Sequence, residues 1–338
     1  MKRQALQRKT RRRAPGRASR GRRVALPAAL LLALALAAFI WPWDAAQPPA
    51  GTAPVQVTAT PVQAQADGGG ATGAPAPASG ALDVYFLDIG QGDCIFLEAP
   101  DGSTMLVDAG DRGNFPVIDA FLRERDVERL DVVVATHVHA DHIGSMAEVI
   151  DSYDIGAFYM PDRSSDSNSF QDMGEALEAR GVPVQTVKLL PSDTGPLALD
   201  WADGVETLVL SPFDGTYTEE NDYSIVLHVA YGSTSVLLTG DAETTAERIL
   251  LKALPHHYVR STVLKVGHHG SSSSTCDQFL SAVAPQFAVI SCGEGNRYGH
   301  PDQVVLDRLA AADVQVYRTD VDGTIHIALD GTAAQVVK

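Results

Sequence analysis

Apolar positions between residues 82 and 137 fall in short runs bounded by Gly, Pro, Asp or Ser, and this pattern predicts β-strands. The runs are "LDVYFLDIG", "DCIFLEAP", "STMLVDAG" and "LDVVVATH". The last run has so few polar residues that it predicts a buried strand. Between the third and fourth runs, "FPVIDAFLRERD" has apolar residues at helical spacing and predicts an α-helix.

Strands and helices alternate from there to the C-terminus. The predicted strands are "SIVLHVAYG", "SVLLTGD", "STVLKVGHHG", "FAVISCG", "VQVYRT" and "GTIHIAL", and the first two pair around a turn at Gly232. The predicted helices are "TTAERILLKAL", "CDQFLSAVAP" and "PDQVVLDRLAAAD". Strands flanked by helices favour an α/β fold in which two sheets pack face to face and helices cover them. The pattern also allows a single doubly wound sheet.

Residues 24–43, "VALPAALLLALALAAFIWPW", are twenty residues without a charge. About 20 apolar residues span a bilayer core of about 30 Å as a helix, so the segment predicts a single transmembrane signal-anchor. Trp41 and Trp43 lie at its end, where interfacial aromatic residues are expected. The alternative is a cleaved signal peptide with Ala45 and Ala46 near the cleavage position, which predicts a secreted protein.

Charge is distributed unevenly along the chain. Residues 1–23 carry eleven Lys or Arg and no acidic residue, and this excess predicts a basic cytoplasmic arm. Everything after the apolar segment is therefore expected outside the cytoplasm, attached to the cell membrane by a single pass. The remaining residues are strongly acidic, which argues against tight binding of a polyanion through a basic groove.

A Pro/Ala/Gly-rich segment at residues 44–80 follows the apolar run. It contains six prolines and almost no large apolar side chain. Such a composition buries too little surface to offset its ordering entropy, so a disordered linker is expected. The folded domain is then expected over residues 81–338.

Candidate metal ligands cluster in "THVHADHIG", residues 136–144. His137 and His139 are two positions apart, so on an extended segment their rings point to the same side. Asp141 and His142 follow, where the chain is expected to turn into a helix near Gly144. Four such side chains after a buried strand predict a site for two adjacent divalent ions, Zn or Mn. The alternative is a helix start capped by Asp141, with histidines on the surface.

The segment "HVHADH" resembles the HxHxDH signature of the metallo-β-lactamase superfamily. In order along the chain are "FLDIGQGD", "LVDAG", "LLTGD", "LKVGHHGS" and "RYGHP". Together these motifs resemble the metallo-hydrolase domain of ComEC-type competence proteins over roughly residues 82–330. The resemblance implies a four-layer αββα sandwich with a metal site on one edge.

The resemblance also implies roles for individual residues. His137 and His139 would hold a first metal ion, Asp141 and His142 a second, and Asp241 would bridge both. A helix N-cap is the alternative for Asp241. One of the "HHGS" histidines would be a further ligand. His269 is favoured, with His268 facing substrate, although the two roles could be exchanged.

Further positions are expected around the ligands. Asp108 of "LVDAG" would orient a ligand from behind, with a turn-forming role as the alternative. Asp88 and Asp93 of "DIGQGD" would either line the site or build the glycine turn. His300 of "RYGHP" would contact a substrate phosphate or act as general acid. Asn221 lies in the region where most superfamily members have another histidine ligand, which leaves the first ion with three protein ligands and an open position.

These expectations predict a membrane-anchored, metal-dependent hydrolase. The reaction favoured is phosphodiester cleavage by a metal-activated water, with single-stranded DNA as leading substrate. Because a transport channel needs many membrane spans, a separate channel or envelope protein is a candidate partner. Two alternatives remain: hydrolysis of another ester or a lactam, and a non-catalytic, metal-stabilised binding module.

Overall fold

The computed structural model describes residues 80–190, 195–215 and 217–337. The predicted basic arm, the apolar segment 24–43 and all but the last residue of the linker lie outside the described residues. Within the described ranges, no helix combines the length and the apolar character that crossing a bilayer would require.

The described residues form strands and α-helices in close alternation. The strands are β1 Leu82–Phe86, β2 Ile95–Glu98, β3 Thr104–Val107, β4 Arg129–Val134, β5 Asp154–Pro161, β6 Val184–Val187, β7 Leu197–Leu199, β8 Val205–Ser211, β9 Val226–Tyr231, β10 Thr234–Leu238, β11 Val263–Lys265, β12 Phe287–Ile290, β13 Gln315–Arg318, β14 Ile325–Leu329 and β15 Ala334–Val337. The helices are α1 Phe115–Glu124, α2 Ala140–Ile143, α3 Met146–Ser152, α4 Asn168–Arg180, α5 Thr244–Ala253, α6 Asp277–Val283, α7 Gln303–Ala311 and α8 Thr319–Asp322.

Two mixed sheets are present, so the doubly wound alternative is wrong. The first has the order β15-β14-β1-β2-β3-β4-β5-β6, and the second has the order β13-β12-β11-β10-β9-β8-β7. Strands β3 to β6 run parallel in the first sheet, and β10 to β13 run parallel in the second. The remaining neighbouring strands pair antiparallel, and these pairs include the predicted hairpin of β9 and β10 around Gly232.

Alternating side chains of the strands build the core between the sheets. Leu82, Val84 and Phe86 of β1 belong to the same buried cluster as Leu227 and Val229 of β9. The intervening positions face outward and are covered by helices, because side chains of a strand alternate between its two faces. Helices α1, α3 and α4 cover the first sheet, and α5, α6 and α7 cover the second. The result is the expected αββα sandwich.

Two segments of the site differ from the sequence prediction. The helix expected near Gly144 already begins at Ala140, because the backbone N–H groups of His142 and Ile143 both donate to the His139 carbonyl. The strand predicted over "STVLKVGHHG" ends at Lys265. Beyond it, residues 267–270 form a tight turn.

Replacing Phe86 by alanine tests the packing between the sheets. Phe86 is fully buried in the shared core, so Phe86→Ala should lower the free energy of unfolding by about 3–5 kcal/mol through lost burial and a cavity. Denaturant unfolding of the metal-free chain measures the change. Val337→Ala on the edge strand β15, whose side chain is 45% exposed, should change stability by less than about 0.5 kcal/mol. Equal effects of the two substitutions would contradict the packing described.

Candidate metal centre

Strand ends from both sheets meet at one edge of the sandwich. Because β3 and β4 are parallel neighbours, their carboxyl ends lead into Asp108 and the 136–142 segment on the same side. Strands β10 and β11 are also parallel neighbours, and Asp241 and the His268–His269 turn follow their ends. The predicted ligands, far apart in the sequence, are thereby brought together.

The first pair of histidines forms one side of the cluster. Nε2 of His137 lies 3.1 Å from Nδ1 of His139, which is close enough for both nitrogens to face one ion. His137 is fully buried, whereas His139 lies at the exposed rim. The prediction that their rings point to the same side agrees with this geometry.

Asp241 lies at the centre of the cluster. Its Oδ1 is 3.2 Å from Nε2 of His142, and its Oδ2 is 3.9 Å from Nε2 of His137 and 3.5 Å from Nε2 of His269. Helix α5 begins at Thr244 with Glu243 in the N-cap position, so the N-cap alternative for Asp241 is wrong.

The two histidines of "HHGS" have different surroundings. His269 is buried, and its Nε2 lies 3.5 Å from Oδ2 of Asp141. Its Nδ1 donates to the carbonyl of Ser291 at 3.0 Å, so Nε2, which faces the carboxylates, is the nitrogen that would give up its proton to bind an ion. His268 is partly exposed, and its Nε2 lies 3.8 Å from Oδ2 of Asp241. Both residues have left-handed backbone, with φ of 47° and 53°, which is uncommon for residues other than glycine.

Asp108 holds His142 in one orientation from behind. Its carboxylate accepts hydrogen bonds from the Thr136 backbone N–H and hydroxyl, at 2.8 and 2.7 Å, and from Nδ1 of His142 at 2.8 Å. Since Nδ1 of His142 is the donor, the neutral ring presents the lone pair of Nε2 to Asp241. This geometry is the one expected of Asp108 as an orienting residue.

Unpartnered buried atoms indicate that the cluster fits divalent cations. Nε2 of His142, Nε2 of His269 and Oδ1 of Asp241 are buried and make no hydrogen bond within the described part of the chain. Such atoms are rare in folded proteins and require an explanation. Among the described residues, three groups of side chains have ligand atoms within 4.8 Å of one another and could each hold an ion: His137, His142 and Asp241; Asp141, His142 and His269; and Asp93, Asp108 and His142. Imidazole and carboxylate are ligands that suit such ions.

The electrostatics of the cluster also favour positive charge. Burial alone would lower the pKa of His269, but Asp241, Asp141 and Asp93 raise it to about 9. Burial alone would raise the pKa of Asp241, but His269 and His142 hold it well below its usual range. In this environment a bound cation could replace the histidine protons.

A buried ion pair lies behind His269. Nζ of Lys265 is 2.9 Å from Oδ2 of Asp93, and both side chains are almost fully buried. Oδ1 of Asp93 lies 3.5 Å from Nδ1 of His269. Burial would raise the pKa of Asp93, but Lys265 and His269 lower it to about 2. Sequence reasoning missed Lys265, whose signal is a single charge in the apolar run "VLKV".

The cluster opens into a cavity of about 400 Å³. Of the predicted residues, those that line it are His139, Asp141, Asn221, Asp241, His268, His269 and His300. Arg297 and Tyr298, whose side chains are exposed, also line it. Nδ1 of His300 is buried and makes no hydrogen bond to a described residue.

Asp88 is not brought into the cluster. It is exposed, and its carboxylate accepts the backbone N–H of Gly90 at 3.3 Å. Of the two alternatives for this residue, turn formation is the one that the structure supports, because the turn directs its side chain to solvent while Asp93 points inward. The alternative that Asp88 lines the site is therefore wrong.

Comparisons with known proteins confirm the family resemblance of the sequence motifs. A family model described as "Metallo-beta-lactamase superfamily" matches residues 87–294. ComE operon protein 3 of Bacillus subtilis (strain 168) is 32% identical, over 72% of this chain and 32% of that protein. Competence protein ComA of Neisseria gonorrhoeae is 29% identical, over 72% of this chain and 31% of that protein. Recombination protein 2 of Haemophilus influenzae is 29% identical, over 71% of this chain and 28% of that protein. The chain spans about a third of the length of the curated relatives it matches.

The affinity of the cluster for a divalent ion should rise with pH. His269 is protonated below its pKa of about 9, so an ion must displace that proton, and affinity is lost as pH falls. We expect the apparent association constant for Zn²⁺ or Mn²⁺ to increase at least about tenfold per pH unit from about pH 6 to about pH 8, because the carboxylates also raise the pKa of His142, so a second proton is displaced. Calorimetric titration in buffers of different ionisation enthalpy measures both the constant and the protons released. A pH-independent constant without proton release would contradict this account.

Proposed function

Because the chain belongs to the metallo-β-lactamase superfamily and carries the site of a metal-dependent hydrolase, we propose that it is a two-metal phosphodiesterase. Its leading substrate is single-stranded DNA. The observation that carries the proposal is the buried cluster around Asp241, where unpartnered imidazole and carboxylate atoms face one another at the base of an open cavity.

The proposed ligands divide into two groups that share Asp241. His137 and His139 would hold the first ion, and Asp141, His142 and His269 the second. Two divalent ions held there, Zn or Mn, would supply a water of lowered pKa, near 7 in the best-known cases, and would polarise a phosphoryl oxygen, so that the water attacks the phosphorus atom and the ester oxygen leaves. Asp108 keeps the Nδ1 proton on His142, so that Nε2 remains free to bind.

Side chains at the mouth of the cavity suit a phosphodiester. Arg297 supplies a permanent positive charge, and His300 has an unpartnered Nδ1. Burial and the neighbouring His268 lower the pKa of His300, so that near pH 7 its neutral ring would be available to donate a hydrogen bond to a phosphate oxygen. Close to the site, the positive charge of Arg297 and the hydrogen-bonding ring of His300 offset the repulsion between the acidic chain and an anionic substrate.

The names of the relatives support a nucleic-acid substrate. Competence protein ComA and recombination protein 2 are named for competence and recombination, processes that act on DNA, and each is similar to about 70% of this chain and to about 30% of its own length. A phosphodiester bond is the linkage that a hydrolase of this class would cleave in such a substrate.

Attachment to the cell membrane is part of the proposal. The uncharged segment 24–43 and the basic arm before it support a single-pass anchor with the hydrolase outside the cytoplasm, or a secreted enzyme if the segment is cleaved. A separate channel or envelope protein would then present the DNA strand. These segments lie outside the described residues.

Hydrolysis by the full-length chain tests the proposed function. After metal is stripped and Mn²⁺ or Zn²⁺ is added back, we expect turnover of bis-p-nitrophenyl phosphate and of single-stranded DNA. The double variant Asp141→Ala, Asp241→Ala should lose at least about 100-fold in rate, because even the partners behind metal ligands are worth about 10- to 100-fold.

Asp172→Asn is the matched control, since this exposed carboxylate on α4 pairs with Arg112 away from the cluster. It should keep wild-type rates within about twofold. A chromogenic cephalosporin, assayed in parallel, tests the lactam alternative. Stoichiometric metal binding without cleavage of either phosphodiester would contradict the proposal and favour another ester, a lactam or a binding role.

A further inference from the structure

The two ring nitrogens of His268 face two different carboxylates. Nδ1 lies 3.0 Å from Oε1 of Glu243, and Nε2 lies 3.8 Å from Oδ2 of Asp241. The Ser273 hydroxyl and the Asn221 amide also approach the ring, at 3.3 and 3.4 Å. The side chain is 24% exposed and lines the cavity beside the metal cluster.

Glu243 determines which nitrogen of the neutral His268 ring carries the proton. Oε1 of Glu243 also accepts a hydrogen bond from the Asn221 amide at 3.0 Å, and an ionised carboxylate acts only as an acceptor. Nδ1 is therefore the donor, and the lone pair of Nε2 points toward Asp241. A histidine whose second nitrogen donates to a carboxylate is the usual arrangement of a histidine that binds a metal.

The distance to Asp241 matches that of a proposed ligand. Nε2 of His268 and Nε2 of His137 lie 3.8 and 3.9 Å from the same atom, Oδ2 of Asp241. Two acceptor atoms at this separation repel each other unless a cation lies between them. Nitrogen and oxygen ligands about 2.0–2.2 Å from one ion are separated by a distance of this size.

We infer that His268 is a ligand of the first metal ion and that Glu243 is its positioning residue. This inference rests on the two-metal site proposed above. It assigns the adjacent histidines to different ions, with His269 on the second and His268 on the first. The ring of His268 packs against Asn221, which lies in the region where most superfamily members have another histidine ligand. A side chain from the neighbouring turn thus supplies the third imidazole of the first ion.

Metal titration of the full-length chain tests this assignment without measuring activity. The stripped chain is titrated with Zn²⁺ and, separately, with Mn²⁺ in a calorimeter, and the wild type should bind two ions. His268→Asn keeps a residue that tolerates left-handed backbone but is too short to reach the ion. It should retain one site and weaken the other at least about 10- to 100-fold. Glu243→Gln should weaken the same site by up to about tenfold.

A control and a rescue variant distinguish ligand loss from misfolding. His257→Asn, at an exposed histidine outside the cavity, should leave both affinities unchanged. Adding Asn221→His to His268→Asn should restore the weakened site. Wild-type affinities for both ions in His268→Asn would overturn the inference, as would a wild-type chain that binds fewer than two ions. If two ions bind as described but no phosphodiester is hydrolysed, the proposed function fails while the assignment of His268 stands.

Discussion

The buried carboxylate of Asp241 is the constraint on which the site depends. It lies at the edge where the sheets meet, with imidazole nitrogens of His137, His142 and His269 within 3.9 Å. An ionised carboxylate is costly to bury unless positive charge compensates it. Protons on His142 and His269 provide part of that charge, and the same geometry suits divalent cations. The fold must therefore hold several metal-binding side chains around the two carboxylate oxygens of Asp241.

Local backbone features make this convergence feasible. Left-handed residues at the end of β11 turn two consecutive rings toward the cavity, at a conformational cost that is typical of functional sites. Gly92 lies against the carbonyl of Asp141, where any side chain would clash. The Lys265–Asp93 pair then fixes the rear of His269. Removing one partner of such a buried pair usually costs about 3–5 kcal/mol. Lys265 and Asp93 are therefore held in place behind His269 and restrict the movement of its ring.

Short-range patterns in the sequence predicted much of this arrangement. Period-two strands and helical spacing favoured two covered sheets but also allowed one doubly wound sheet, and the family resemblance implied the αββα sandwich. The spacing of His137, His139, Asp141 and His142 was enough to predict a metal cluster. The functions of His268 and His269 could not be separated, because that depends on the dihedral angles of one turn. Lys265 and Asp93 are far apart in the chain, so no local pattern links them, and only the packed sheets bring them into contact.

The central claim is that two ions share Asp241 at the edge of the sandwich. Crystals of the chain grown with Mn²⁺ test it directly, because the anomalous signal locates each ion independently of any activity. Two peaks about 3.5–4 Å apart on either side of the Asp241 carboxylate are predicted. A single peak, or peaks that do not contact Asp241, would contradict the account.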